Sequence, residues 1–379
     1  MKAKSIRGQT PAELGQALEE SMQDGFKPTL AIVFMSVKQD RKVIGELFGA
    51  NNIAISGATS NGEFIDGDLG KESIAALLLD MDPGHFLILF DEFGQRSPRE
   101  VSKELAEKAK TRFDKPAFLV AGCHMETDAE QLLFGFADVV GQQVSAFGGM
   151  AGDDFQFTDQ FVFTNKQETN RGVVVLVLDE EKIKIRGRAT CGWKAVGTEK
   201  IVTKSEGNRV FTIDGEPALD ITAKFGGLTN LTRDNAKLAM EIATNFPLQL
   251  QREKGDPVMR PGLLINWDDR SYYCSGTVPQ GSKVKFSLPP DFDVIEKVIH
   301  ASEDLRDSEM PEADAVILYS CAGRLISLGP LMSREIEGVK EIWNAPLVGM
   351  FSNGELGRAT GGGLEMHNLT TCCVAIKEE

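Results

Sequence analysis

Aromatic residues and long apolar runs are scarce in this chain of 379 residues. Aromatic residues make up 7% of it, with only three Trp and three Tyr. No segment approaches the roughly 18 consecutive apolar residues that a membrane span needs. Polar residues follow Lys2, Lys4 and Arg7 where a secretory signal would place its apolar segment. We therefore expect no membrane insertion and a cytoplasmic location.

Positive charge is also in short supply. The sequence has 41 Lys and Arg against 56 Asp and Glu, a formal net charge of −15, and a pI near 4.9. Such a balance disfavours a nucleic-acid backbone or an anionic membrane as the main partner. The hydrophobic fraction of 42% and the charged fraction of 26% are ordinary for a globular protein, and the length indicates two or three domains.

Several site signatures are missing. The six cysteines are scattered and form no C-x-x-C, which favours reduced thiols in a cytoplasmic protein. The sequence has no G-x-G-x-x-G and no Walker motif, so nucleotide binding is not indicated. Asp153 and Asp154 follow a glycine-rich turn and could bind an amine or a divalent cation, although such a pair is more often a solvated turn. We predict neither a cofactor nor a metal.

What the sequence does contain is clearly punctuated secondary structure. Thr10-Pro11 and Ser97-Pro98, each with Glu three residues after the hydroxyl, predict helices over 11–22 and 98–112. Short apolar runs bounded by turn formers predict strands at 28–35, 117–121, 172–178, 262–266, 314–319 and 346–350. The apolar runs 73–80 and 85–90 are separated by a link too short for a helix, so we expect them to pair antiparallel with each other. The fold class predicted is α+β, with mixed sheets flanked by helices.

The chain also repeats itself. Ala117–Cys123 and Ala315–Cys321 are both strands that end in a small residue and then Cys, and each is followed by a helix, a second strand and a glycine turn. A third copy begins at Ala31 and ends in Ser60-Asn61-Gly62-Glu63, nearly the same turn as Ser352-Asn353-Gly354-Glu355. We predict duplicated strand-helix-strand-glycine-turn units with these turns in matching positions.

Several motifs together resemble the FIST family. They are Gly57 to Glu63, Gly148 to Asp154, Gly192-Trp193, Ile213 to Ala218, Ser320 to Arg324, and Ser352 to Glu355 continuing into His367-Asn368-Leu369-Thr370. The resemblance implies a helical lead-in over 1–27, a FIST N-like domain over 28–215 and a FIST C-like domain over 216–379. It also implies a sensory, ligand-binding module of signal transduction, with amino acids as the ligands.

The candidate binding residues lie on turns at strand ends, where side chains and free amides converge in α/β sheets. The Glu of each Ser-Asn-Gly-Glu turn could accept from an ammonium group, and the Arg324 guanidinium suits a carboxylate. We therefore predict a zwitterionic ligand, with Arg324 on its carboxylate and Glu355, Asp153 or Asp154 on its amine. The alternatives are a solvated turn for each Glu and an ion pair with a neighbouring acid for Arg324. The full predicted set is Arg324, Glu355, Asn353, Ser352, Cys321, Ser60, Glu63, Gly149, Asp153, Asp154 and Asn368.

A second class of function stays open at this point. Cys321 could be the nucleophile of a hydrolase or transferase, with His367 as its base, although a Cys that ends a buried strand is more often a small core residue. The chain contains no kinase, cyclase or methyl-accepting segment. If it is a sensor, we expect its output to pass through a separate signalling protein or through oligomerisation.

Overall fold

Four sheets and their flanking helices make up the computed structural model, which describes residues 1–123, 128–229, 231–235, 238, 242 and 245–379. Three sheets are six-stranded and mixed, and the fourth is antiparallel. The α+β class expected from the sequence is confirmed.

Hydroxyl caps start the first and third helices as the sequence predicts. Thr10 Oγ1 accepts a hydrogen bond from the N–H of Glu13 at 3.2 Å, and Ser97 and Glu100 form a complete capping box. Because these bonds satisfy donors that a helix start leaves free, the helix positions are fixed locally. In the described ranges the α-helices with defined bounds are α1 (Pro11–Met22), α2 (Arg41–Ala50), α3 (Pro98–Arg112), α4 (Glu130–Val140), α5 (Ala218–Phe225), α6 (Asp293–Ser308), α7 (Ala322–Leu328) and α8 (Met332–Trp343).

The three mixed sheets share one plan. The first sheet has the order β1 (Ala3–Gly8), β6 (Ile74–Leu79), β2 (Leu30–Ser36), β3 (Ala54–Ser60), β10 (Val162–Phe163), β11 (Glu168–Thr169). The second has β7 (Phe86–Glu92), β12 (Gly172–Asp179), β8 (Pro116–Gly122), β9 (Ala146–Met150), β24 (Glu355–Arg358), β25 (Leu364–His367). The third has β13 (Ile183–Thr190), β26 (Thr371–Glu378), β22 (Ala315–Cys321), β23 (Leu347–Ser352), β4 (Glu63–Ile65), β5 (Asp68–Leu69).

Each sheet is built around one repeated unit. The units are β2-α2-β3, β8-α4-β9 and β22-α7-α8-β23, and in each the two strands are parallel. After its second strand every unit sends the chain into a neighbouring sheet: β4 pairs with β23, β24 pairs with β9, and β10 pairs with β3. The exchange therefore runs in a closed three-way cycle, and the Ser60–Glu63 and Ser352–Glu355 turns occupy matching positions, as predicted.

One strand pairing expected from the sequence is wrong. β6 lies between β1 and β2 in the first sheet, whereas β7 pairs with β12 in the second. The link Met81–Gly84 crosses between two sheets and does not close a hairpin. All six residues of β6 are buried, so its backbone groups need a strand on both edges, and β1 and β2 provide them.

One face of every mixed sheet contributes to a common core. Leu30, Leu119 and Ile317 from the three units all belong to it. The opposite faces pack against helices: α1 and α2 on the first sheet, α3 and α4 on the second, and α6 to α8 on the third. Among the described residues, no helix combines the length and hydropathy that crossing a membrane requires.

The fourth sheet is inserted between β13 and β22 and has its own core. Its order is β18 (Val258–Arg260), β17 (Leu248–Leu250), β21 (Lys283–Ser287), β14 (Ala195–Glu206), β15 (Arg209–Ile213), β20 (Ser271–Tyr273), β19 (Leu264–Asn266), with β16 (Glu216–Pro217) beside β15.

Candidate functional site

The three strand-end turns meet at one junction. Asn61 Nδ2 donates to Asn353 Oδ1 at 2.8 Å, and Asn353 Nδ2 donates to the carbonyl of Ala151 at 2.9 Å. Asn61 Oδ1 accepts from the N–H of Asp153 at 3.2 Å and of Phe155 at 2.9 Å. Side-chain amide groups therefore connect the Ser60–Glu63 turn to the Ser352–Glu355 turn, and connect both of these to the backbone of the turn after β9.

Backbone hydrogen bonds repeat around the same junction. The N–H of Asn61 donates to Phe351 and that of Asn353 to Met150, both at 2.9 Å, and that of Gly152 donates to Thr59 at 2.9 Å. Gly152 therefore stands where the other two turns have Asn. A Cβ at Gly152 would lie 2.3 Å from Asn61 Nδ2, so a side chain there would displace the Asn61 amide.

The two Ser-Asn-Gly-Glu turns build equivalent clusters around a buried carboxyl group. Glu355 accepts from Ser352 Oγ and Thr370 Oγ1, both at 2.6 Å. Glu63 accepts from Ser60 Oγ at 2.8 Å and from the hydroxyl of Ser73 at 2.5 Å. Both carboxyl groups are completely buried. Serine three residues before the Glu, and a hydroxyl just before the antiparallel strand, recur in both.

The described residues of the second unit form no such cluster. The N–H of Cys321 donates to the carbonyl of Thr370 at 2.9 Å, and that of Cys123 donates to the carbonyl of Gly172 at 3.0 Å. Gly172 therefore replaces the hydroxyl residue, and Ala151 stands where Ser352 does in the third unit. The second unit therefore lacks the two hydroxyl donors that hold the carboxyl groups of Glu63 and Glu355 in the other two units.

Burial controls the protonation of both Glu side chains. Desolvation raises the pKa of Glu355 to about 8, against the lowering effect of its hydroxyl partners. Desolvation also raises the pKa of Glu63. Since the charged form is disfavoured, Glu355 is mainly a neutral acid at pH 7, and in this conformation neither group is open to an ammonium ligand.

Arg324 lies in a closed setting of its own. It is fully buried and forms an ion pair with Glu335, a residue of α8. Arg324 Nη1 also donates to the carbonyls of Cys191 at 2.7 Å and Leu369 at 3.1 Å, and the guanidinium lies 5.2 Å from the centre of the Trp193 ring. The structure thus pairs Arg324 with Glu335, and no hydrogen bond joins it to Glu355 among the described residues.

Some polar atoms near Arg324 have no hydrogen-bond partner in the described part of the chain. They are Arg324 Nε, Trp193 Nε1 and Asn368 Oδ1, all buried. Glu335 itself accepts from Thr371 Oγ1 at 2.6 Å. Sequence reasoning missed Glu335, since no motif marks it; its place in the first turn of α8 is the only local signal.

Asp153 and Asp154 differ in access to solvent. Asp153 is fully buried; its Oδ2 accepts from the N–H of Thr158 at 2.6 Å and its Oδ1 has no partner among the described residues. Asp154 is half-buried and accepts from Ser36 Oγ at 2.6 Å. Burial raises the pKa of Asp154. Of the carboxyl groups predicted at the junction, Asp154 is the one that solvent reaches.

The loop that carries Asp154 is strained. Asp154, Phe155 and Phe157 have φ values of 56°, 61° and 54°, in the left-handed region that residues other than glycine seldom adopt. The hydrogen bonds from Asp153 and Phe155 to Asn61 hold this segment over the junction.

The remaining predicted residues line the closed parts of the junction. Ser60, Ser352 and Asn368 are buried, and Asn353 is half-buried. Gly149 pairs with Glu355 across β9 and β24, and a Cβ there would lie 2.9 Å from the Tyr319 ring. The close approach of β9 and Tyr319 requires glycine at this position. In the described ranges, no group of three or more His, Cys, Asp and Glu side chains could hold a metal ion.

The environment of Cys321 does not favour a nucleophile. Burial raises the pKa of its thiol, and the nearby Glu355 adds to this effect. His367 Nε2 lies 3.3 Å from the carbonyl oxygen of Gly357, and burial lowers the pKa of His367 to about 3. No hydrogen bond joins Cys321 to His367 among the described residues.

We expect Cys321 to be unreactive in the folded protein. Because its thiol pKa is raised, alkylation by iodoacetamide at pH 7 should be at least about a hundredfold slower than that of a free thiol. Peptide mass spectrometry after timed labelling measures this, with urea-unfolded protein as the control in which all six cysteines react. Rapid labelling of Cys321 in the native protein would support the nucleophile hypothesis.

Three strand-helix-strand units, interlocked through their strand-end turns, define an α+β protein with internal repetition. The FIST N domain model matches residues 29–216, and the FIST C domain model matches residues 218–358. The chain belongs to the FIST family, whose domains are associated with sensory signal transduction.

A curated relative extends the comparison. An uncharacterized protein of Methanocaldococcus jannaschii is 23% identical over 357 residues, which cover 86% of this chain. The chain spans 66% of the length of that relative.

Proposed function

We propose that this protein is a cytoplasmic sensor that binds a small amine-bearing metabolite, an amino acid or a derivative of one, and signals through a separate protein. The family association supports the sensory role. The observation that carries the ligand proposal is Asp154, a half-buried carboxyl group at the place where three strand-end turns meet.

Asp154 suits an ammonium group better than the two turn Glu residues do. Glu63 and Glu355 already accept two hydroxyl groups each and are sealed from solvent. Asp154 accepts from one hydroxyl, that of Ser36. Its raised pKa reflects partial burial without a direct cation, and a bound ammonium group would supply the missing positive charge.

Lys38 is the cation placed to take the carboxylate of the same ligand. It follows Ser36 by two residues, and its charge acts on Asp154. Its ammonium group lies 2.6 Å from Glu72 on the surface, and a ligand carboxylate would compete with that carboxylate. Arg324, the group suggested by the sequence, would first have to release Glu335. We therefore place the zwitterion between Asp154 and Lys38.

A thermal-shift screen against amino acids and simple amines tests the proposal. A ligand at 100 times its dissociation constant adds about 2.7 kcal/mol of stability. Asp154→Asn should weaken binding of each hit about 10- to 100-fold, since it removes a charge-assisted bond. Asp159→Asn is the matched control, because Asp159 is exposed on the same loop.

Two results would contradict this assignment. If no compound in the panel shifts the wild-type melting temperature, the sensor does not recognise this class of ligand. If a compound binds wild type and Asp154→Asn equally well, the ligand lies elsewhere in the molecule.

A further inference from the structure

The outermost strands β1, β7 and β13 hold equivalent places in the three mixed sheets, and among the described residues their outer edges pair with no other strand. β1 carries Lys4 and Arg7, and β13 carries one Lys and two Arg. Basic side chains on an edge strand discourage pairing with another chain. β7 has no basic residue: it reads Phe86-Leu87-Ile88-Leu89-Phe90 before two acidic residues.

The apolar side chains of β7 are only half-buried on both faces of the sheet. Phe86, Ile88 and Phe90 pack against the common core between the three mixed sheets. Leu87 and Leu89 pack against the core under α3 and α4. All five remain partly exposed, because the sheet stops at β7 and both cores are open along its edge.

The free backbone groups of β7 belong to its even-numbered residues. The carbonyl of His85 accepts from Asp179 at 2.9 Å, and the N–H of Phe93 donates to Arg171 at 3.0 Å. Odd-numbered residues therefore point their backbone groups toward β12. In an antiparallel ladder the alternate residues point the other way, so Phe86, Ile88 and Phe90 present their N–H and C=O groups outward.

We propose that β7 pairs antiparallel with β7 of a second copy of this chain, about a two-fold axis through Ile88. This register places Ile88 opposite Ile88, Phe86 opposite Phe90 and Leu87 opposite Leu89. The pattern is self-complementary, as an interface with two-fold symmetry requires. The three outward residues of each strand would exchange about six backbone hydrogen bonds.

The position of Asp91 favours this register over one in which the two-fold axis passes through Leu89. An axis through Leu89 would set Asp91 opposite Leu87, and a carboxylate would then face an apolar side chain. The axis through Ile88 keeps the apolar run together and sets His85 opposite Asp91.

Space for the second strand exists at the end of β7. An open groove of about 670 Å³ lies there, and its lining includes the basic Arg96 and Lys166 and the acidic Asp91, Glu92 and Glu168. In the proposed register the link 81–84 of the second copy, which carries the exposed Asp82, would enter this groove. Each copy has a net charge of −15, so the two copies repel each other at low salt. The dimer should therefore tighten as salt is added.

Sedimentation velocity tests the proposal on the full chain. Wild type should sediment as a species with twice the mass of 41.3 kDa. Ile88→Lys places a basic side chain at the two-fold axis, similar to the basic residues that β1 and β13 carry. This variant should raise the dimer dissociation constant at least about 100-fold. Ile326→Lys is the control: Ile326 is 65% exposed on α7, and its variant should remain a dimer.

Amide hydrogen exchange on the unaltered protein gives an independent reading. In the proposed dimer the N–H of Ile88 is protected along with that of Leu89, whereas in a monomer only Leu89 has a strand partner. A wild-type protein that is monomeric at tens of micromolar would overturn the proposal, whether or not another protein binds this edge. A dimer in which Ile88 exchanges freely, or one that Ile88→Lys leaves intact, would overturn it as well.

Discussion

Arg324→Ala is expected to lower the free energy of unfolding by about 3 to 5 kcal/mol. Removing the guanidinium leaves the buried carboxylate of Glu335 without its cation. It also leaves the carbonyls of Cys191 and Leu369 without their donor, and it opens space beside the Trp193 ring. Urea unfolding followed by tryptophan fluorescence measures the loss.

Two control variants distinguish the loss of the buried ion pair from a general effect of removing an arginine on stability. Arg306→Ala removes a half-buried arginine that pairs with the exposed Asp307 on α6 and should leave stability nearly unchanged. The double variant Arg324→Met, Glu335→Leu removes both charges and should recover much of the loss. If Arg324→Ala unfolds at the same urea concentration as wild type, the ion pair does not contribute to stability, and Arg324 is free to serve a ligand.

Glu355→Gln is expected to make the protein less sensitive to rising pH. The folded-state pKa of Glu355 is about 8, against an ordinary value of 4.5, so the folded protein retains a proton that the unfolded chain releases. The resulting stability is fully present below about pH 4.5 and is lost as the pH rises through 8. The full loss is on the order of 5 kcal/mol.

Glutamine stays neutral at every pH and keeps an oxygen for one of the two hydroxyl donors. The free energy of unfolding of wild type minus that of Glu355→Gln should therefore fall between pH 5 and pH 8.5. Glu312→Gln is the control, since the side chain of Glu312 is 79% exposed. An equal pH dependence in wild type and Glu355→Gln would mean that the carboxyl group is ionised in the folded protein at neutral pH.

Local signals account for the parts of the fold that the sequence predicted correctly. Caps at Thr10 and Ser97 fix their helices because capping bonds span only three residues. The repeated Ser-Asn-Gly-Glu revealed matching turns for the same reason. The exchange of strands was not predictable in this way, because β4 ends at Ile65 and its partner β23 begins only at Leu347. A three-residue strand such as β4 also carries little pattern of its own.

The same difference between local sequence signals and long-range contacts applies to the candidate site. The turn residues around Asn61 and Asn353 were found from their sequence and do meet in space. The partner of Arg324 was not found, because Glu335 reaches it from a separate helix and the sequence does not show how α7 and α8 pack against each other. Residue type indicated that Arg324 would seek a carboxylate; only the packing of α8 decided which one.

The cyclic exchange of strands makes the three mixed sheets depend on one another. Each sheet is completed by two strands that follow the repeated unit of another sheet. β4 and β5 complete the third sheet, β24 and β25 the second, and β10 and β11 the first. A cut between the FIST N and FIST C regions would take β24 and β25 from the second sheet and β4, β5 and β13 from the third. Each half would then expose a central strand edge. Because β24 and β25 complete the second sheet, the cycle of exchanged strands closes only after these two strands have been synthesised.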